Sequence, residues 1–218
     1  MLCSTVFSAQ EHKWRPETTG KNGASPKSHM SRKLEINMTT VQYSSSQDIN
    51  VLVVIDTEYI KKMYGPNTNK NAPQGINHSS QFMICTGSRG IISGQGTADL
   101  NFRANPGDTV DFTGVSIYDN SDDAVIVYGI NYWQKDHVFG NFTSNLVTRN
   151  RAVMPNNDSP DGLPATPTKL TFASYGAKVQ NSGTEDFYVN IALYTLADDG
   201  QTQNLFGYYY WDPTITVA

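Results

Sequence analysis

The stretch "EDFYVNIALYTL", residues 185–196, constrains the fold more than any other part of the chain. Phe187, Val189, Ile191 and Leu193 fall on one side of an extended backbone, and Tyr188, Asn190 and Tyr194 on the other. A helix would scatter those apolar positions around its circumference, whereas a strand gathers them onto one face. From Ile49 onward, similar short apolar runs alternate with clusters of Asn, Asp, Gly, Pro and Ser. The predicted strands are 49–56, 81–86, 97–103, 109–118, 124–133, 168–174, 185–197 and 205–217. Between them lie turn-rich loops such as "YGPNTNKNAPQG", "YDNSDDA" and "MPNNDSPDGLPATP". With no long segment of helical period, the pattern predicts an all-β domain over 49–218, an antiparallel β-sandwich of jelly-roll or Greek-key type. In "TVDFTGVSIY" the apolar parity changes after Gly114, which predicts a β-bulge there.

The most apolar run, "INVLVVIDTEYI", ends on Asp56. An acid at the carboxyl end of such a strand is where many α/β enzymes and metal-dependent adhesion domains hold a ligand. Here no glycine-rich phosphate loop and no Asp-x-Ser-x-Ser follow, and any helix in "TEYIKKMYG" is limited to one or two turns before Gly65-Pro66. Asp56 therefore reads as the end of a buried strand, not a catalytic or metal-holding carboxylate.

Residues 1–48 differ in kind. "SAQEHKWRPETTGKNGASPKSHMSRK" is polar and basic without periodicity, which predicts a disordered extension. Met30 and Met38 are both credible starts, so the upstream residues also fit a mis-assigned start or a remnant of expression. The whole chain carries 16 Lys and Arg against 20 Asp and Glu, a mild acidity that gives no reason to expect nucleic acid. No apolar run approaches the length that spans a bilayer, and no secretory leader is evident, so the expected location is the cytoplasm. The sequons at Asn37, Asn77, Asn141 and Asn157 then carry no glycans. Of the two cysteines, Cys85 sits in the apolar run "QFMICTG" and is expected to be a small core residue.

Candidate sites are few. Gly94-x-Gly96 lacks the following helix that a phosphate cradle needs, and is expected to form a tight turn or bulge. Asp122 and Asp123 in one loop, and Asp158 and Asp161 in another, supply clustered oxygens of the kind calcium takes, but without the full spacing of a calcium loop. Both pairs are better read as turn residues, with a calcium-assisted glycan site at a sandwich edge as the sharper alternative. The four histidines are scattered, no nucleophile–base spacing stands out, and "GSRG" is one residue short of a nucleophile elbow. In "NLFGYYYWDP", alternation sends Phe206, Tyr208 and Tyr210 to one face, and Tyr209 and Trp211 to the other. One set is expected in the core. An outward subset of Tyr208, Tyr209, Tyr210 and Trp211 is expected to contact a partner subunit, or, as a second choice, a sugar.

Beyond these local readings, "VLVVIDTEYI", "GSRGIISGQGTADLNFRANPGD", "SDDAVIVYGINYW", "NLVTRNRAVMPNNDSPDGLP" and "TEDFYVNIALYTLADDGQTQNLFGYYYWDPTITV" together resemble the bacterial inclusion body protein family of the AidA/PixA type. The resemblance runs from about Ile49 to Val217. It implies a cytoplasmic, non-enzymatic β-sandwich protein, associated in many bacteria with hosts or quorum sensing, that accumulates without a catalytic cofactor. The six Met among 218 residues do not fit a sulfur store. The expected function is an accumulating, self-associating protein, a homodimer in its simplest form. The alternative is a lectin-like module that binds glycans or small ligands. No cofactor, no membrane and no nucleic acid are expected.

Overall fold

The computed structural model describes residues 45–133 and 137–218. Residues 1–44 of the expected disordered extension, with both alternative starts, lie outside those residues, whereas its last residues are ordered and Asp48 already belongs to a strand. Anchoring contacts begin just before the predicted domain boundary, because the Ser45 carbonyl and the Gln47 amide already bond to Arg89 and Asp108.

Two sheets pack face to face. The first runs in the order β3 (Gln81–Thr86), β1 (Asp48–Ile55), β6 (Thr109–Ser116), β9 (Thr166–Lys178) and β8 (Thr143–Met154). The second centres on β10 (Gly183–Leu196). Along one side of it lie β11 (Gln203–Trp211) and β12 (Thr214–Val217), and β7 (Ala124–Tyr132) also pairs with it. The short strands β2 (Gln74–Gly75), β5 (Leu100–Phe102) and β4 (Ile91–Ser93) complete it. The predicted sandwich is therefore present, but its sheets are mixed. β1 runs parallel to β6, β11 to β2, and β12 to β5. These pairs bring together segments far apart in sequence, and local patterning carries no information about their direction.

Alternation explains the core. Ile49, Val51, Val53 and Ile55 of β1 point inward with Met83 and Cys85 of β3 and with Val110 and Phe112 of β6, all buried. They meet Phe187, Val189, Ile191 and Leu193 of β10, whose inward set matches the sequence reading. The predicted strand 205–217 is broken once. Val189 opposes Trp211 and Asp186 opposes Thr214, so β11 and β12 keep one register along β10 and part only at Asp212-Pro213. Proline has no N–H for the ladder, which accounts for the gap.

The bulge expected at Gly114 does not occur. β1 and β6 pair without interruption from Asp48–Thr109 to Ile55–Ser116. Gly114 instead keeps the inward parity of Phe112 and Ser116, and a Cβ there would lie 2.6 Å from Val127 Cγ2. The glycine lets the two sheets approach, while Val115 and the exposed Ile117 face out. The register irregularities among the described strands fall elsewhere, on β10–β7 between Asn190 and Ile191, on β10–β11 between Leu193 and Tyr194, on β8–β9 between Arg149 and Ala152, and on β4–β5 between Ile91 and Ser93.

Asp56 ends β1 and caps the helix α1 (Thr57–Tyr64), its Oδ1 accepting the Tyr59 amide at 3.0 Å. Glycines 94 and 96 both have left-handed φ, +83° and +77°, in the turn leading from β4 toward β5. That is the tight turn read from the sequence.

Candidate functional site

Three surfaces collect the residues singled out by sequence. At one end of the sandwich, α1 and the loop after β6 enclose an open cavity of about 330 Å³. Its lining includes Glu58, Lys61, Tyr118, Asp122, Asp123 and Phe206. The two neighbouring aspartates go opposite ways. Asp122 is exposed, whereas Asp123 is buried and accepts from Thr57 Oγ1 at 2.7 Å and from Lys61 Nζ at 2.8 Å. Lys61 also bonds Glu58 at 2.6 Å. The Asp123 charge is thus already matched by a lysine. The loop itself is braced by Asn120, whose side-chain oxygen accepts the Ser116 and Val125 amides, and by Gln203, whose amide nitrogen faces the carbonyls of residues 120–122.

Asp158 and Asp161 lie apart from this cavity, in the loop joining β8 to β9. Asp161 accepts Ser159 Oγ at 2.6 Å and the Leu163 amide at 3.0 Å, and these bonds hold its carboxyl below the ordinary range. The Asp158 amide donates to Asn156 Oδ1 at 3.0 Å. These residues shape the turn. Among the described residues no three His, Cys, Asp or Glu side chains are grouped so that they could hold a metal ion.

The histidines and the cysteine among the described residues are also committed. His78 lies between Asp99 and Asp212, at 3.3 and 3.2 Å. His137 Nδ1 meets the buried Glu185 at 2.8 Å, and Glu185 also accepts the amides of Val138 and Phe139. Cys85 is buried, and burial pushes its thiol up, away from the thiolate a nucleophile needs.

The aromatic strand divides as alternation requires. Tyr209 and Trp211 are fully buried, and the Tyr209 hydroxyl donates to the Gly65 carbonyl. Those two members of the proposed contact set are core residues. A contact surface is left to Tyr208 and Tyr210, half-buried on the outer face. Phe206, expected beside them, lies at the register irregularity, where it stacks on Tyr209 and packs against the core.

Sequence reading missed the other rings on that outer face. Tyr128 packs edge-on to Tyr208 at 5.5 Å, Tyr188 edge-on to Tyr210 at 4.9 Å, and Trp133 stacks on Tyr188 at 4.6 Å. Lys70 Nζ sits 5.2 Å from the Tyr128 ring centre. A shallow hollow of about 220 Å³ beside them is lined by Pro73, Asn131, Tyr188, Asn190 and Tyr210. The alternation of β10 already placed Tyr188 outward. Its neighbours across the sheet depended on pairings that the sequence does not reveal.

The family model for PixA, inclusion body protein, matches residues 47–217. The chain is also similar to the crystal structure of an inclusion body protein from Burkholderia cenocepacia J2315, with 28% identity and a TM-score of 0.65. That similarity covers 81% of this chain and 99% of the other. No curated protein matches the chain. A family match over nearly all of the described sandwich, joined to the same fold in a solved relative, leads to one assignment. The chain belongs to the PixA inclusion body protein family.

Proposed function

We propose that this protein is a non-enzymatic member of its family that accumulates in the bacterial cytoplasm and associates with itself. The observation carrying the reading is the outer face of β7, β10 and β11, where two groups of rings, Tyr128 with Tyr208 and Trp133 with Tyr188 and Tyr210, share one surface. Each aromatic buried in a contact removes roughly 150–250 Å² from water. At about 25 cal/mol per Å², several such rings offset much of the cost of association. Among the described residues, His78, His137, Asp123 and Glu185 are engaged in structural bonds and Cys85 is buried, which leaves this surface as the prominent feature. The resemblance of the sequence adds the cellular side of the reading, expression under quorum sensing in a host-associated bacterium.

Sedimentation velocity over micromolar to millimolar concentrations tests it. The native chain should form dimers and larger species, and Tyr210→Ser or Tyr208→Ser should suppress the larger ones. A chain that stays monomeric throughout overturns the reading.

A second reading, a glycan-binding module, is favoured by the hollow in which the Asn131 and Asn190 amides lie beside Tyr188 and Tyr210. Rings for the apolar face of a sugar and amides for its hydroxyls are the required chemistry. Neutral oligosaccharides titrated into the protein by calorimetry would show heat that Asn131→Ala abolishes.

A further inference from the structure

The hairpin of β8 and β9 extends well past the sheet that anchors it. β9 pairs with β6 only through residues 175–178, yet it continues pairing with β8 as far as Met154–Thr166. No residue of β8 is buried, and Leu146, Val153 and Phe172 are 71, 72 and 47% exposed. A two-stranded ribbon of this kind is at best marginally stable alone in water.

The outward side of the whole five-stranded sheet has an unusual pattern. On β3, β1 and β6 the outward positions include Phe82, Ile84, Leu52, Val54 and Val115, neighbours across the strand pairs. Phe82, Ile84 and Leu52 are exposed although apolar. The outward charges on these three strands are Asp48 and Asp111, both acidic. At the other end of the same face, the ribbon presents Val147, Phe172, Leu170 and Met154 with Arg149. Small polar residues, Thr113, Ser174 and Gly176, lie between the two apolar halves.

Charge is also uneven along the chain. The two ribbon strands contain Arg149, Arg151, Lys169 and Lys178 and no acidic residue, while the loop joining them holds Asp158 and Asp161. Outside residues 143–178, the described chain holds 14 acidic against 5 Lys and Arg residues. On the outward face Asp48 and Asp111 lie toward the anchored end, with Lys178 beside them, and Arg149 lies on the ribbon. Such a surface, apolar in both halves, can cover itself when turned by a two-fold rotation, since each half then lies on its opposite in the second copy.

Resting on the self-association reading, we infer that the outer face of the five-stranded sheet is a two-fold interface in which the β8–β9 ribbon of one chain covers the Leu52–Phe82–Ile84 patch of another. Five strands at about 4.8 Å spacing and roughly 30 Å long give a face of about 700 Å². Two such faces in contact approach the roughly 1,200–2,000 Å² of a stable interface. This surface lies on the opposite side of the sandwich from the rings of β7, β10 and β11. Dimers closed through the sheet therefore keep the aromatic face free for further growth, which a single closed interface would not allow.

The test uses the full chain with Phe172→Asp on the ribbon and Ile84→Lys on the patch. Both positions are exposed, and circular dichroism with thermal unfolding should show intact folds. Sedimentation velocity should show each variant alone at least tenfold weaker in dimerisation than the native chain. A one-to-one mixture should dimerise again, because it contains one native contact and one Asp–Lys pair. If either substitution disturbs the fold, Leu170→Asp and Phe82→Lys make the same test. Variants that dimerise like the native chain, or weakened variants whose mixture fails to dimerise, overturn this interface while the native dimer stands. A native chain that never dimerises overturns the self-association reading itself.

Discussion

Arg89 and Asp108 meet through two parallel hydrogen bonds, Nε to Oδ2 and Nη2 to Oδ1, both 2.8 Å. The Asp108 side chain is 1% exposed and also accepts the amides of Gln47 and Asn105. This one carboxylate ties the lead into β1, the turn after β3 and the turn before β6. The Arg89 hydrogen bond, ahead of the opposing effect of burial and with help from the two amides, holds its pKa at about 2.

The sign of the pH dependence follows. A carboxylate whose folded value is depressed contributes its full stability above its unfolded value, near 3.8, and loses it as pH falls toward about 2. Asp108→Asn should lower the unfolding midpoint by several degrees at pH 7. The gap between variant and native chain should narrow steadily between pH 4 and pH 2. Thermal unfolding followed by circular dichroism across that range measures it, and a gap independent of pH contradicts the assignment.

Asp56 is expected to matter through the helix it caps. Asp56→Ala should cost about 1 kcal/mol, the usual loss for a removed cap, while Asp56→Asn should be nearly neutral. Urea unfolding of the three chains distinguishes a cap from a binding residue, since any ligand affinity later found should stay within a few-fold in Asp56→Asn.

Gly114 and Val127 should behave as a coupled pair across the two sheets. The 2.6 Å approach leaves no room for a methyl, so Gly114→Ala is expected to destabilise by about 1–3 kcal/mol. Val127→Ala opens space at the same point. The double variant should therefore be more stable than the sum of the two single losses, a positive coupling that a double-mutant cycle by chemical denaturation measures directly.

His78 should give the opposite pH signature from Asp108. Burial alone would lower its pKa, but the hydrogen bonds and charges of Asp212 and Asp99 outweigh it and hold the imidazolium above the ordinary value. Its contribution is then fully present below about pH 6.5 and lost as pH rises through the folded value. Between pH 5.5 and 8.5 the native chain should lose more stability than His78→Gln. Parallel slopes for the two chains would count against the assignment.

Much of the sandwich was legible because one face of each central strand is buried. The inward set Phe187, Val189, Ile191 and Leu193 could be read from spacing alone, as could the turn at Gly94 and Gly96 and the break of the helix at Gly65. β8 was missed for a physical reason. Alternation appears in sequence only where one face is dry, and "TSNLVTRNRAVM" is wet on both. The parity change after Gly114 misled because Val115 and Ile117 are apolar residues facing out, a feature of an exposed sheet face and not of a bulge. The Arg89–Asp108 pair and the rings around Tyr208 depend on contacts between distant segments, which no local pattern encodes.

The position of β12 carries a consequence for how the molecule is made. This strand of four residues lies between β10 and β5 and runs parallel to the latter. Until it docks, β5 and β4 have, among the described residues, no strand linking them to the rest of their sheet. Completion of that half therefore waits on pairing across more than a hundred residues, which sets its rate. A chain in which β12 is missing or undocked would keep part of β10 and β5 as open edges, ready to pair with other chains. Four residues thus decide whether this half of the sandwich closes on itself or is left to pair with its neighbours.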